Sequence, residues 1–230
     1  CFFIFLCDKK KLSTLKNIYE ARVLFFDLEN TPNKVYTWGK YDQNALACIK
    51  KSYLLSFAYK WQEGKRVYAY SLADFPLFKR DVQDDYELVK KLWSVFDEAD
   101  VIIAHNGKAF DIKKANAYFI YHNLPPPSPY KVVDTKTIAK SIGLFYSNKL
   151  NDLGTTLNEG KKLEHEGFPL WEKCMAGDRK AFTRMVRYNK QDVVLLEKIY
   201  LRLRPYIQNH SPLAVSHLIH ICPNCGSNKS

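Results

Sequence analysis

Arg22-Val23-Leu24-Phe25-Phe26-Asp27-Leu28-Glu29 is a β-rich apolar run that ends on two acids separated by one residue. A continuous apolar run of this length fits a strand buried on both faces, at the centre of a sheet. Side chains alternate along a strand, so Asp27 and Glu29 share one face and Leu28 points to the other. Thr31-Pro32-Asn33 breaks the run. The acids therefore fall at the end of a central strand, where open sheets place their sites. Two adjacent carboxylates repel unless a cation lies between them, and hard oxygen donors suit Mg²⁺ or Mn²⁺. Two solvated acids at a strand end are the alternative for this motif taken alone.

Working outward, residues 34–41, 53–61 and 66–72 are aromatic and β-branched enough for further strands. Glu63-Gly64-Lys65 reads as the turn that makes the last two an antiparallel hairpin. Leu88, Val89, Leu92, Trp93 and Phe96 have the spacing of one helical face within 84–99. Residues 101–104 form a short buried strand and 108–122 a second helix. Leu124-Pro125-Pro126-Pro127-Ser128-Pro129 is an extended connector. A short strand at 132–133 precedes helices to about 157, a loop around 160–169, and a helical stretch over 178–206. Strands first, then strand–helix alternation, then helices give an α/β fold with a mixed central sheet covered by helices.

Two further clusters carry chemistry. Ala104-His105-Asn106-Gly107-Lys108-Ala109-Phe110-Asp111 crosses from a strand through a turn pair into a helix. Asp111 in that first turn is favoured by the helix dipole whatever else it does. Tyr188-Asn189-Lys190-Gln191-Asp192 opens an amphipathic stretch, and Tyr188 and Asp192, four apart, share a face. Asp192 is followed by Val193, Val194, Leu195 and Leu196. An acid in so apolar a setting needs a partner or a metal; Lys190 is the nearest basic residue in sequence. Asp134-Thr135 is read as a helix N-cap first and a substrate contact second. His105 and His165 are read as structural.

These motifs resemble those of the DnaQ-like exonucleases, the DEDD superfamily with a ribonuclease H-like fold, in the subclass whose third motif carries tyrosine. More narrowly, the chain resembles phage and plasmid exonuclease domains related to the proofreading domains of family-B DNA polymerases. The likeness runs from about Arg22 to Pro205. It places the four family acids on Asp27, Glu29, Asp111 and Asp192, and the tyrosine on Tyr188. The histidine subclass would have His at the position of Arg187. The resemblance implies a 3′–5′ exonuclease in which Asp27, Glu29 and Asp192 hold one Mg²⁺ or Mn²⁺ ion. Asp27 would bridge to a second ion, assisted by Asp111. Tyr188 would orient the attacking water, since a phenol with an ordinary pKa near 10 is a poor base at neutral pH. Asn106, Lys108, Arg187 and Lys190 are the expected substrate contacts. An RNA-directed or structure-specific nuclease, and a non-catalytic nucleic-acid-binding module, are the alternatives.

The chain has 230 residues, enough for one domain and tails. The formal charge of +11 favours a polyanionic partner. Single-stranded nucleic acid is expected, DNA before RNA, with a DNA polymerase as a further partner that the resemblance allows. The helical region 161–204 holds eleven Lys and Arg against six acids, so one face could follow a phosphate backbone. The six cysteines show no secreted framework, and no stretch reads as a membrane span, so a cytoplasmic setting is expected. Residues 1–20 are read as an extension outside the fold, 21–207 as the exonuclease domain and 208–230 as a tail. Because the chain opens on Cys1 instead of Met, it is expected to be cut from a longer reading frame. Cys222-Pro223-Asn224-Cys225 resembles the first half of a zinc ribbon whose second half is missing, so no Zn²⁺ site is expected here.

Overall fold

The computed structural model describes residues 21–207 apart from Asp42. The expected extension over 1–20 and the cysteine knuckle of the tail lie outside the described residues. Seven strands are described: β1 (Val23–Asn30), β2 (Lys34–Tyr36), β3 (Ala47–Lys50), β4 (Leu54–Trp61), β5 (Tyr68–Ser71), β6 (Val101–Ala104) and β7 (Lys131–Asp134). The α-helices among these residues are α1 (Tyr86–Asp97), α2 (Asp111–Tyr121), α3 (Thr135–Ile142), α4 (Leu150–Thr156), α5 (Phe168–Met175) and α6 (Arg179–Leu203). None is long and apolar enough to cross a membrane.

β1 sits at the centre of a five-stranded sheet of order β5-β4-β1-β6-β7. It pairs antiparallel with β4 and parallel with β6, so the sheet is mixed as expected. Alternation along β1 divides the core in two. Leu24, Phe26 and Leu28 pack with the apolar faces of α1, α2 and α5, while Val23 and Phe25 pack with α3, α4 and α6. Asp27 and Glu29 continue the second series. They therefore turn toward α6, the helix that carries Tyr188 and Asp192.

β6 pairs with β1 only as far as Phe25↔Ile103. Beyond that point β1 is held on its β4 edge alone, with Asp27 opposite Ala58 and Glu29 opposite Ser56. The ladder slips between Glu29 and Asn30. A bulge of this kind bends a strand and redirects its side chains beside a site.

Three expectations are corrected in detail. The strand expected over 34–41 stops at Tyr36, and its partner β3 went unread in the sequence. Every residue of β3 is exposed, so burial imposes no period-2 pattern on it. α2 begins at Asp111 and not at 108, because the chain first turns through Asn106 in the left-handed region (φ 66). α5, unassigned in the sequence, starts after Gly167 (φ 74) with Pro169 in its first turn, a position where proline is tolerated.

Candidate active site

One carboxylate oxygen from each of Asp27, Glu29 and Asp192 lies within 4.8 Å of the others. β1 and α6 bring them together from opposite ends of the sequence. Asp192 is almost fully buried and its Oδ1 has no hydrogen-bond partner among the described residues. A buried carboxylate oxygen without a donor is costly, and with the half-buried Asp27 and Glu29 beside it Asp192 completes a hard, anionic oxygen set. The residues present thus fit a divalent cation.

Asp111 joins from α2. Its carboxylate is buried and lies close enough to be felt by Asp27. The turn before it depends on Gly107, where a Cβ would meet that of Ala104 at 2.4 Å. The chain therefore folds tightly back on β6, and only glycine permits so close an approach. Asp134 Oδ1 accepts from Asn106 N at 3.0 Å and Oδ2 from Lys108 N at 3.1 Å. Asp134 also caps α3 through Lys136 N and Thr137 N. The N-cap reading is borne out, and the same carboxylate fixes the turn that presents Asp111.

Electrostatics follows from crowding. Burial raises the Asp27 carboxyl well above the usual carboxylate range, and Asp192, Asp111 and Glu29 add to it. Burial likewise lifts Glu29 to about 8, against the pull of Lys162, and Asp111 to about 7. Tyr188 is pushed up to about 12, first by burial and then by Asp192. Its phenol therefore keeps its proton at neutral pH.

Lys162, Asn189 and Trp171 are residues the sequence reading missed. Lys162 Nζ donates to Asp192 Oδ2 at 2.5 Å and to Tyr188 OH at 3.0 Å. Burial opposes its charge, but Asp192 and Asp27 outweigh that and raise its pKa. The partner of Asp192 is therefore this lysine and not Lys190. Asn189 Nδ2 donates to Asp27 Oδ2 at 2.6 Å, and Ser56 Oγ donates to Asn189 Oδ1 at 3.3 Å. Asn189 stands three positions before Asp192, on the same helical face, a spacing that could have revealed it. Trp171 of α5 lies close enough to Glu29 to favour its ionised form.

The expected substrate residues are more scattered. Arg187 lines a cavity of about 230 Å³ with Tyr188, His165 and Arg184. Lys108 is exposed beside the Asp111 turn, and Asn106 shapes that turn. Lys190 is half-buried on α6. His105 is structural: its Nδ1 meets Thr135 Oγ1 and its Nε2 meets the Asn148 carbonyl, each at 2.9 Å. His165 is at the edge of the site, its ring 4.7 Å from that of Tyr188 and 5.1 Å from that of Trp171.

A sequence model of the RNase_H superfamily matches residues 24–204, from the start of β1 to the end of α6. The chain belongs to the RNase_H superfamily. No curated protein matches it. Among solved structures, the family B DNA polymerase from the hyperthermophilic archaeon Pyrobaculum calidifontis is similar, with 17% identity and a TM-score of 0.52. The match covers 80% of this chain and 25% of the polymerase. The chain thus spans about a quarter of that polymerase, and the likeness is one of fold. Within this RNase_H superfamily fold, the acids at the open end of β1 and the acid on α6 form the described carboxylate centre.

Proposed function

We propose that this protein is a 3′–5′ exonuclease of the tyrosine DEDD kind, acting on single-stranded nucleic-acid ends, DNA before RNA. The observation that carries the reading is the convergence of Asp27, Glu29 and Asp192 within 4.8 Å, with Tyr188 held beside Asp192 through Lys162. Asp27, Glu29 and Asp192 would hold one Mg²⁺ or Mn²⁺ ion, and Asp27 with Asp111 a second. Bound there, such ions lower the pKa of water and neutralise charge on the phosphodiester. Asn189 fixes the Asp27 carboxylate, so it is aimed before substrate arrives. Tyr188, protonated up to about pH 12, orients the attacking water through its hydroxyl and does not take its proton. Lys162 sets a positive charge next to that hydroxyl.

The test uses DNA and RNA oligonucleotides labelled at either end, with Mg²⁺, Mn²⁺ or a chelator. A 3′ label should leave as a mononucleotide in the first turnover, while a 5′ label should give a descending ladder. Release of a mononucleotide from the 5′ end first would reverse the polarity. Substrate left intact with either metal would remove the nuclease reading, and equal cleavage in chelator would remove the metal from it.

A further inference from the structure

Beyond Glu29 the chain enters a groove that the carboxylate centre does not use. Two adjoining cavities of about 600 and 520 Å³ share Lys50, Lys51, Tyr53 and Gln83 as lining. The nearer one also touches Pro32, three residues after Glu29 and so within about 10 Å of it along an extended chain. Its other wall is Phe168 of α5, the helix whose Trp171 ring lies 6.4 Å from that of Tyr188. The farther cavity runs out to Tyr121 at the end of α2. The groove thus leads from the site along the base of the β2–β3 hairpin.

Its chemistry is cationic and aromatic. Lys34, Lys50 and Lys51 line it, and none forms an ion pair among the described residues. Lys50 Nζ donates to Gln83 Oε1 at 2.8 Å, a neutral partner that leaves its charge uncompensated. Lys51 Nζ sits 5.1 Å from the centre of the Tyr121 ring. Two acids border the groove. Glu172 is exposed on the α5 side. Asp85 is buried and engaged by Leu54 N at 2.7 Å and His122 Nε2 at 2.6 Å. Tyr121 and Phe168 are 57% and 53% exposed, so about half of each ring faces solvent. Lysines that track a backbone beside rings that accept stacked bases are the two elements of single-strand binding.

We propose that this groove holds the single strand that leads to the carboxylate centre, with Lys34, Lys50 and Lys51 on its phosphates and Tyr121 and Phe168 under its bases. The direction of the strand rests on the exonuclease reading; the binding itself rests on the groove alone. Fluorescence anisotropy tests it with single-stranded DNA and RNA of 2 to about 16 nucleotides, spanning the range of known single-strand sites, in Ca²⁺ over a salt series. Wild-type affinity should rise with length and fall with salt. Lys50→Ala/Lys51→Ala should weaken binding of the longer strands about tenfold. It should also make the log–log salt slope shallower by about 1.4, or 0.7 for each phosphate no longer neutralised. Phe168→Ala should weaken binding with the slope unchanged. Lys65→Ala, at the β4–β5 turn, should bind as wild type. Wild-type affinity and slope in the double lysine variant, with its melting temperature intact, would overturn the proposal. So would an equal loss in Lys65→Ala, which would mean diffuse charge and no groove. Cleavage is not read here: groove-dependent binding by a protein that releases no nucleotide would remove the exonuclease reading and leave this one standing. Cleavage without groove dependence would do the reverse.

Discussion

Lys162 puts an ammonium among acids that would otherwise face one another bare. Its loop position, six residues past the end of the short helix α4, gives no sequence pattern that would assign it to Asp192. Replacing it with Met should leave the carboxylates uncompensated. The metal-free protein should then melt at lower temperature, while Mn²⁺ should protect it from melting at several-fold lower concentration than wild type. An unchanged metal dependence would mean that lysine and ion do not share the site. Asp27→Asn acts in the opposite sense. It removes a charge that Asp192, Asp111 and Glu29 all oppose, so the metal-free melting temperature should rise, by about 2–4 °C for each kcal/mol relieved. Hydrolysis should be lost. A variant that turns over normally in Mg²⁺ would take Asp27 out of the site. Tyr188→Phe keeps the buried ring and loses only a hydroxyl, so kcat should fall more than KM changes. Asp27 with Glu29 and Tyr188 with Asp192 were legible because strand and helix periodicities show which side chains share a face, whereas Asp111 entered through the resemblance. Lys162 and Trp171 were not, because they reach the site from a loop and an unread helix.

At the scale of elements, legibility tracks burial. β1, β6 and α6 bury whole faces and announce themselves as apolar runs or helical spacing. β3 buries nothing and α5 buries only Leu170 and Cys174, so neither left a period to read. The loop that delivers Lys162 is fixed by contacts that have no sequence signature. Glu159 N donates to Gly154 O at 2.9 Å, Lys162 N to Asn151 Oδ1 at 3.0 Å, and Lys198 Nζ to Glu159 O at 3.3 Å. Gly154 is where α4 meets this loop and α6: a Cβ there would lie 2.6 Å from Gly160 O and 2.8 Å from Leu195 Cδ1. Leu195 belongs to the buried face of α6 and cannot simply swing away. Gly154→Ala should therefore cost roughly 1–3 kcal/mol, the usual penalty for overpacking, and lower the melting temperature by several degrees. Because the strain falls on the loop carrying Lys162, hydrolysis should fall beyond what the lost stability explains. A melting curve that overlays wild type would mean that the loop yields freely there.

For the molecule as a whole, the site and the fold oppose each other until a cation arrives, and pH should reveal it. Glu29 moves from an ordinary value of 4.5 to about 8, and Asp111 from 3.8 to about 7. Between those limits the unfolded chain has released protons that the folded chain still holds. The folded state binds more protons, so stability of the metal-free protein falls as pH rises through this window. His105 works the other way: burial lowers it from 6.5 to about 4. Its unfolded form takes up a proton first, so stability is lost as pH falls below about 6.5 toward 4. The two trends compete in acid, and above pH 6.5 the carboxylates act alone. In chelator the melting temperature should therefore fall from pH 6.5 to 8.5. Metal binding requires the acids ionised, so added Mn²⁺ should raise the melting temperature most at pH 8.5 and hardly at all at pH 5. His105→Gln should flatten the acid limb without altering the metal increment. Melting curves over pH 5–9, with chelator and with Mn²⁺, measure both limbs. A metal increment larger at pH 5 than at pH 8.5 would mean that the ion is held by other groups than Glu29 and Asp111.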